Sequence, residues 1–202
     1  MVIVLPLLVS IKEYLRAYRD KSPDMEIQCP CCGRRLRRHG CYYRRVVLGL
    51  GIHLVPVYRR LCPRCRRTFS LCPCFLRPYS QFALPVHEAV ARLLVQGRSP
   101  DAIAERLCQG PQVGGVSGRT IQRWQSGWKA GAGDLLGSLS ERVLSLSPGT
   151  DLTPFFPPVR MPRGSLRAML WLGGFYRDLV WEARRPSLFA FLRLSFPSLS
   201  VP

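Results

Sequence analysis

The residues best suited to chemistry are two pairs of cysteines. Cys29-Pro30-Cys31-Cys32-Gly33 and Cys62-Pro63-Arg64-Cys65 each carry a Cys-x-x-Cys knuckle, and 29 residues separate Cys32 from Cys62. Two such pairs supply the four thiolates of a tetrahedral structural zinc, and four sulfurs leave no open position for a catalytic water. Cys29, Cys32, Cys62 and Cys65 are therefore the expected ligands of one Zn2+ that acts as scaffold. A redox Cys-x-x-Cys would stand alone in a βαβ setting, unlike two pairs flanking a hairpin pattern. Cys31 lacks the knuckle spacing and reads as a spectator. Cys72 and Cys74, with His39, His53 or His87, are weighed as a second metal set against the plainer reading of small buried hydrophobes; Cys41 and Cys108 read as structural. Nine cysteines is an odd number, and they bunch mostly between positions 29 and 74. With no secretory leader expected, that pattern fits a metal site better than a disulfide framework.

The second chemical signal is charge. Thirty Lys+Arg against twelve Asp+Glu give a net +18, and 27 of the thirty are Arg. Such an excess repels itself unless a polyanion or acidic surface faces it, and the guanidinium fork matches phosphate and guanine edges better than an ammonium does. Residues 29–130 hold eighteen bases and three acids, and residues 29–80 hold twelve Arg with no Asp or Glu. Arg37, Arg38, Arg66 and Arg67 in that stretch are expected to grip backbone phosphates.

The elements that would position these groups follow from pattern. Between the knuckles, Tyr42–Leu48 and Ile52–Leu61 are rich in β-branched and aromatic residues around Gly49-Leu50-Gly51, which predicts a β-hairpin. Pro56 lacks an N–H for the ladder, so its strand is expected at an edge or a bulge. A third short strand is expected over Arg67–Leu71. After Pro85, Val86, Ala89, Val90, Leu93 and Leu94 recur at three and four, the stripe of an amphipathic helix that Gly97 stops. Ser99-Pro100-Asp101 predicts an N-cap, a proline in the first turn and a second helix through Ile103, Ala104 and Leu107. A loop from Gln109 to Val116 leads to Ser117, the expected cap of a third helix with Ile121 and Trp124 inward. Arg119, Thr120, Gln122, Arg123 and Gln125 are left on its outer face.

Three helices of this kind fit a helix-turn-helix whose last helix enters the major groove, where Arg and Gln can pair bidentately with guanine and adenine. A small helical bundle with a solvated basic face is the alternative. The runs Cys29-Pro30-Cys31-Cys32-Gly33, Leu36–Tyr42, Arg59–Ser70, Phe75–Tyr79 and Ser117–Trp124 resemble the zinc ribbon and recognition helix of bacterial transposase-like proteins, including short ribbon-plus-helix-turn-helix chains. The resemblance covers roughly residues 29–130 and implies DNA binding of the kind found at the front end of insertion-sequence transposases. Cys41, Cys72 and Cys74 depart from that pattern.

The expected fold class is α+β: residues 1–28 a strand or helix extension, 29–80 a zinc ribbon, 81–130 a helix-turn-helix. Residues 131–202 are expected to be irregular, with one helix over 165–185, because Pro, Gly and Ser fill 24 of their 72 positions and Pro154, Pro157, Pro158 and Pro162 crowd together. Asp134, Glu141, Asp151, Asp178 and Glu182 lack the parallel-strand runs of a nuclease core, so the chain is expected to bind and not to cut. Double-stranded DNA is the expected partner, with a transposase or a second copy of the chain as further ones. The apolar run Val2–Val9 is too short to span a bilayer; it predicts a soluble chain, cytoplasmic and nucleoid-associated, with peripheral membrane contact as the minority reading. An RNA- or ribonucleoprotein-binding ribbon, a remnant of a mobile element and a protein-interaction adaptor stand as alternatives.

Overall fold

In the computed structural model, residues 1–49, 51–108, 116–156, 163–180 and 187–196 are described below. The fold is α+β, a four-stranded sheet followed by helices. The apolar start makes strand β1 (Val2–Val4), and Ser10 then caps helix α1 (Ile11–Tyr18) in a reciprocal capping box with Glu13, which satisfies two otherwise orphaned amides. Strands β2 (Arg37–Leu48) and β3 (Gly51–Leu61) form the expected hairpin, and β4 (Thr68–Cys72) follows the second knuckle. The sheet order is β1-β4-β3-β2, with β1 parallel to β4 and the other pairs antiparallel. Leu50 lies outside the described residues.

Pro56 sits in β3, an interior strand and not an edge, and the register irregularity lies between Arg38 and Cys41 instead. The ladder tolerates proline because pairing of β3 with β4 extends only over Tyr58–Leu61, so at Pro56 one side of the strand is locally free. Helix α1 covers that side, where the Tyr14 hydroxyl donates to the Pro56 carbonyl at 3.1 Å.

The helices begin as their caps predict. Helix α2 (Leu84–Val95) ends before Gly97, whose φ of 90° only glycine adopts readily. Helix α3 (Pro100–Cys108) starts where the Ser99 hydroxyl accepts the Ala102 amide at 3.2 Å. Helix α4 starts where the Ser117 hydroxyl accepts the Thr120 amide, also at 3.2 Å. It runs from Gly118 to Leu146, sixteen residues past position 130, so the first part of the stretch expected to be irregular is helical. Buried Trp128, Ala132, Leu135, Leu139 and Val143 give it an apolar stripe, and tertiary packing of that stripe outweighs the poor propensity of its glycines. A 3-10 turn at Thr153–Phe155 contains Pro154. Helix α5 (Gly164–Val180) matches the start of the helix expected over 165–185, whose last five residues lie outside the described residues, as do Pro157, Pro158, Pro162 and Glu182. Helix α6 (Leu188–Ser195) takes up part of the tail and packs close to α5 at Gly173, where an added Cβ would come within 3.1 Å of Leu192.

One hydrophobic core runs from Leu5 through the sheet and all the larger helices to Phe196. A separate small cluster, Leu36 and Phe69 with Cys29 and Cys62, lies at the knuckle end of the sheet. No helix among the described residues is long and apolar enough to cross a membrane.

Candidate metal centre and nucleic-acid interface

The two knuckles are the same turn built twice, 33 positions apart. In the first, the Gly33 amide donates to the Cys29 carbonyl and the Cys29 amide to the Arg34 carbonyl, both at 2.8 Å. In the second, Arg66 donates to Cys62 and Cys62 to Arg67, both at 2.9 Å. Each turn closes on a residue with positive φ, Gly33 at 69° and Arg66 at 54°. Glycine takes that conformation freely, whereas arginine holds it at a cost of about 1 kcal/mol or more.

The turns bring the Sγ atoms of Cys29, Cys32, Cys62 and Cys65 within 4.8 Å of one another. Cys32 and Cys62 sulfurs stand 3.6 Å apart, against an edge of about 3.8 Å for a tetrahedron of sulfurs around zinc at 2.3 Å. The sulfurs are thus at metal-binding separation, and the donor set suits one thiophilic divalent ion. Such an ion would join the two knuckles and fix the end of the sheet. The electrostatics point the same way. The Cys65 amide, 3.3 Å from the Cys62 sulfur, leads the effects that bring that thiol down to about 7, whereas its bonds with Cys32 lead those that push the Cys65 thiol up to about 12. Four thiols at this distance do not all ionise without a cation among them. Cys31 is exposed, outside the four, with the Arg67 guanidinium 3.7 Å from its sulfur.

Among the described residues, no second group of three or more His, Cys, Asp or Glu is gathered for a metal. Cys72 and Cys74 are buried, and their thiols donate to the carbonyls of Leu76 and Leu7. His87 is buried too, with Nε2 3.2 Å from the Ser80 hydroxyl and its ring 3.9 Å from that of Trp124. Burial, then the Arg77 charge, brings it down to about 3, so it stays neutral.

Beside the metal centre opens a broad cleft of about 1420 Å³ lined by Arg34, Arg35, Arg37, Arg38, Arg60 and Arg64. Arg37 and Arg38 were expected at such a surface; the other four were hidden among twelve arginines until the sheet brought them together. Arg60 is buried and fixed, its guanidinium donating at 3.0 Å to the Ser22 hydroxyl and the Pro23 carbonyl. Two exposed ion pairs, Arg35 with Glu26 and Arg38 with Asp24, temper the cleft's charge; pairs this exposed are worth little and exchange readily for another anion. Arg66 and Arg67 are exposed on the second knuckle, outside the lining of this cleft.

On α4, Arg119, Gln122 and Arg123 are exposed in the first two turns. Thr120 is half-buried, with its hydroxyl 3.0 Å from that of the capping Ser117. It lines a shallow depression with Arg77, Tyr79, His87 and Trp124. Tyr79 also borders the next hollow along the surface, which Tyr42, Arg44 and Arg45 of β2 share. From α4 the surface therefore continues over the 77–81 loop onto β2, whereas the arginine cleft lies at the knuckle end of that strand, around Arg37 and Arg38.

Residues 29–124, just under half of the chain, match a family described as a domain of unknown function (DUF6431). The match begins at the first cysteine of the metal centre and ends at Trp124, so it takes in the metal centre, the 77–81 loop and the first turns of α4. None of the curated proteins and none of the solved structures matches the chain.

Proposed function

We propose that this is a zinc-dependent protein that binds double-stranded DNA, transposase-like in kind and without a catalytic core of its own. The observation that carries this reading is the gathering of arginines: six line the cleft beside the candidate metal centre, and a second surface runs from Arg44 and Arg45 of β2 over the 77–81 loop to the start of α4. Arg37 to Arg45 along β2 span about 26 Å at 3.3 Å per residue, comparable to the rise of about eight base pairs at 3.4 Å per step of one strand. The cleft would hold phosphates without regard to sequence. Arg119, Gln122 and Arg123 would meet base edges, and Thr120, turned to its cap, would steady the helix start.

Titrating salt tests the first half. If about six phosphates are engaged, log K falls with log salt at a slope near −5; an affinity insensitive to salt refutes it. Selection from randomised duplexes tests the second half. Arg123→Ala is expected to weaken a preferred site by about 1–3 kcal/mol and to relax the preference at one or two base pairs, while Arg37→Ala, Arg66→Ala or Arg67→Ala weakens all sequences alike. Identical preferences in the wild-type and Arg123→Ala pools remove α4 as the reader. Tighter binding to RNA than to any duplex DNA at matched salt replaces the reading with an RNA one.

A further inference from the structure

Tyr79 is the most exposed of the large apolar and aromatic side chains in the described residues, at 98%, and its backbone holds a φ of 62°. A bulky residue in the left-handed region is a true outlier, and such outliers persist only where the surroundings over-determine them. Here they do. The Arg44 guanidinium donates to the carbonyls of Arg77 and Ser80, the Ser80 hydroxyl binds both the Phe82 amide and His87, and the Gln81 carbonyl accepts the Val47 amide at 2.7 Å. A rigid loop therefore holds an aromatic ring out in water.

Beside that ring lies a cavity of about 360 Å³, whose lining includes Tyr42, Tyr79, Arg44, Arg45, Val57 and Ser70. Val57 is buried beneath it, and Tyr42 is 40% exposed at its side. Aromatic walls, an apolar floor, two guanidinium groups and a hydroxyl are what a flat heteroaromatic ring on a phosphate backbone requires. We propose that this cavity receives a single extrahelical base of a DNA strand, stacked against Tyr79 and Tyr42 with its flanking phosphate on Arg44 and Arg45. The cavity is the right size at the small end of ligand pockets, and through Tyr79 it adjoins the depression lined by Thr120 and Trp124 of α4, which puts it beside a duplex held at the start of that helix. This inference rests on the DNA-binding reading above and adds to it a site for an unpaired base.

The test uses full-length zinc-loaded protein and two 20-base-pair duplexes, one fully paired and one with a single 2-aminopurine bulge. Wild type is expected to bind the bulged duplex about 5- to 150-fold tighter, the equivalent of 1–3 kcal/mol of stacking per base, and to quench the 2-aminopurine fluorescence. Tyr79→Gly removes the ring while relieving the backbone; it should abolish the quenching and bring the ratio of bulged- to paired-duplex affinity to about one, a ratio that any general loss of duplex affinity leaves unmoved. Tyr79→Phe should keep both, and Tyr42→Ala should lose most of the preference. Equal preference in wild type and Tyr79→Gly overturns the base site while leaving duplex binding intact. Failure of wild type to bind the paired duplex at all overturns the DNA-binding reading beneath it, and a preference for single-stranded RNA over the bulged DNA overturns the assignment to DNA.

Discussion

Removing the metal should melt one end of this protein and spare the rest. With Ile3 and Ile27 only partly buried against it, the cluster at the knuckles buries two large apolar side chains, Leu36 and Phe69, beside the cysteines. Burying them contributes about 3–6 kcal/mol at 1.5–3 kcal/mol each, whereas a structural zinc contributes about 10–16 kcal/mol in small zinc-binding peptides. A bound zinc would thus stabilise this end more than its apolar contacts do, and two buried apolar side chains do not offset the entropy of ordering both knuckles. The main core, which reaches from Leu5 to Phe196, shares none of its buried residues with this cluster. Hydrogen exchange with and without a chelator reads the difference. Amides of 27–36 and 61–69 should lose protection on chelation, while those of α2, α4 and α5 change little and the helical circular dichroism is kept. Elemental analysis should give about one zinc per chain, and Cys62→Ser should lose it with the same local pattern. Unchanged protection of the knuckles in the metal-free protein would refute the argument, and so would loss of the whole fold.

Three other outcomes follow from the geometry. Arg66→Gly should raise stability by roughly 1 kcal/mol, since glycine holds the positive φ without strain, and should reduce the salt slope of DNA binding by about 0.9 if Arg66 touches a phosphate; denaturant melts and salt titrations report the two effects separately. At Gly118 an added Cβ would collide with Asp101 Oδ1 and stand 2.9 Å from its Cγ, so Gly118→Ala should destabilise by about 1 kcal/mol, and much less when Asp101→Gly is made with it, as a double-mutant cycle would show. His87 is held down to about 3 by burial and Arg77, whereas the unfolded chain binds this proton below about 6.5. Stability should therefore fall as pH drops from about 6.5 toward 3, by at most about 1.4 kcal/mol per pH unit from this group, and His87→Phe should flatten that slope in melts at graded pH.

What the sequence revealed was local. The cluster of four cysteines was legible because each knuckle is a four-residue turn, with Gly33 marking the first, and the starts of α3 and α4 because Ser99 and Ser117 bond amides three residues on. The length of α4 was not. Gly127, Gly133 and Gly137 have the composition of helix breakers, yet a Cβ at each would meet nothing, and the stripe from Trp128 to Val143 holds the helix together by packing against distant residues. The arginine cleft was hidden for a related reason: Arg34 and Arg60 are far apart in the chain and meet only through the sheet. Tyr79 gave no sign either, because neither its backbone angle nor its exposure is written in residue type.

The parallel pairing of β1 with β4 has a consequence for how the chain is made. Val2 finds its partner at Ser70 and Val4 at Cys72, so β1, made before either knuckle, waits until both have followed it. Synthesis at about 5–20 residues per second makes that wait some seconds long. Meanwhile an apolar strand with unsatisfied edges is open to other chains, and metal capture, by closing the loop between the knuckles before β4 docks, would shorten the search for its partner. Expression yield should then track zinc supply during growth, even for batches reconstituted to the same metal content afterwards.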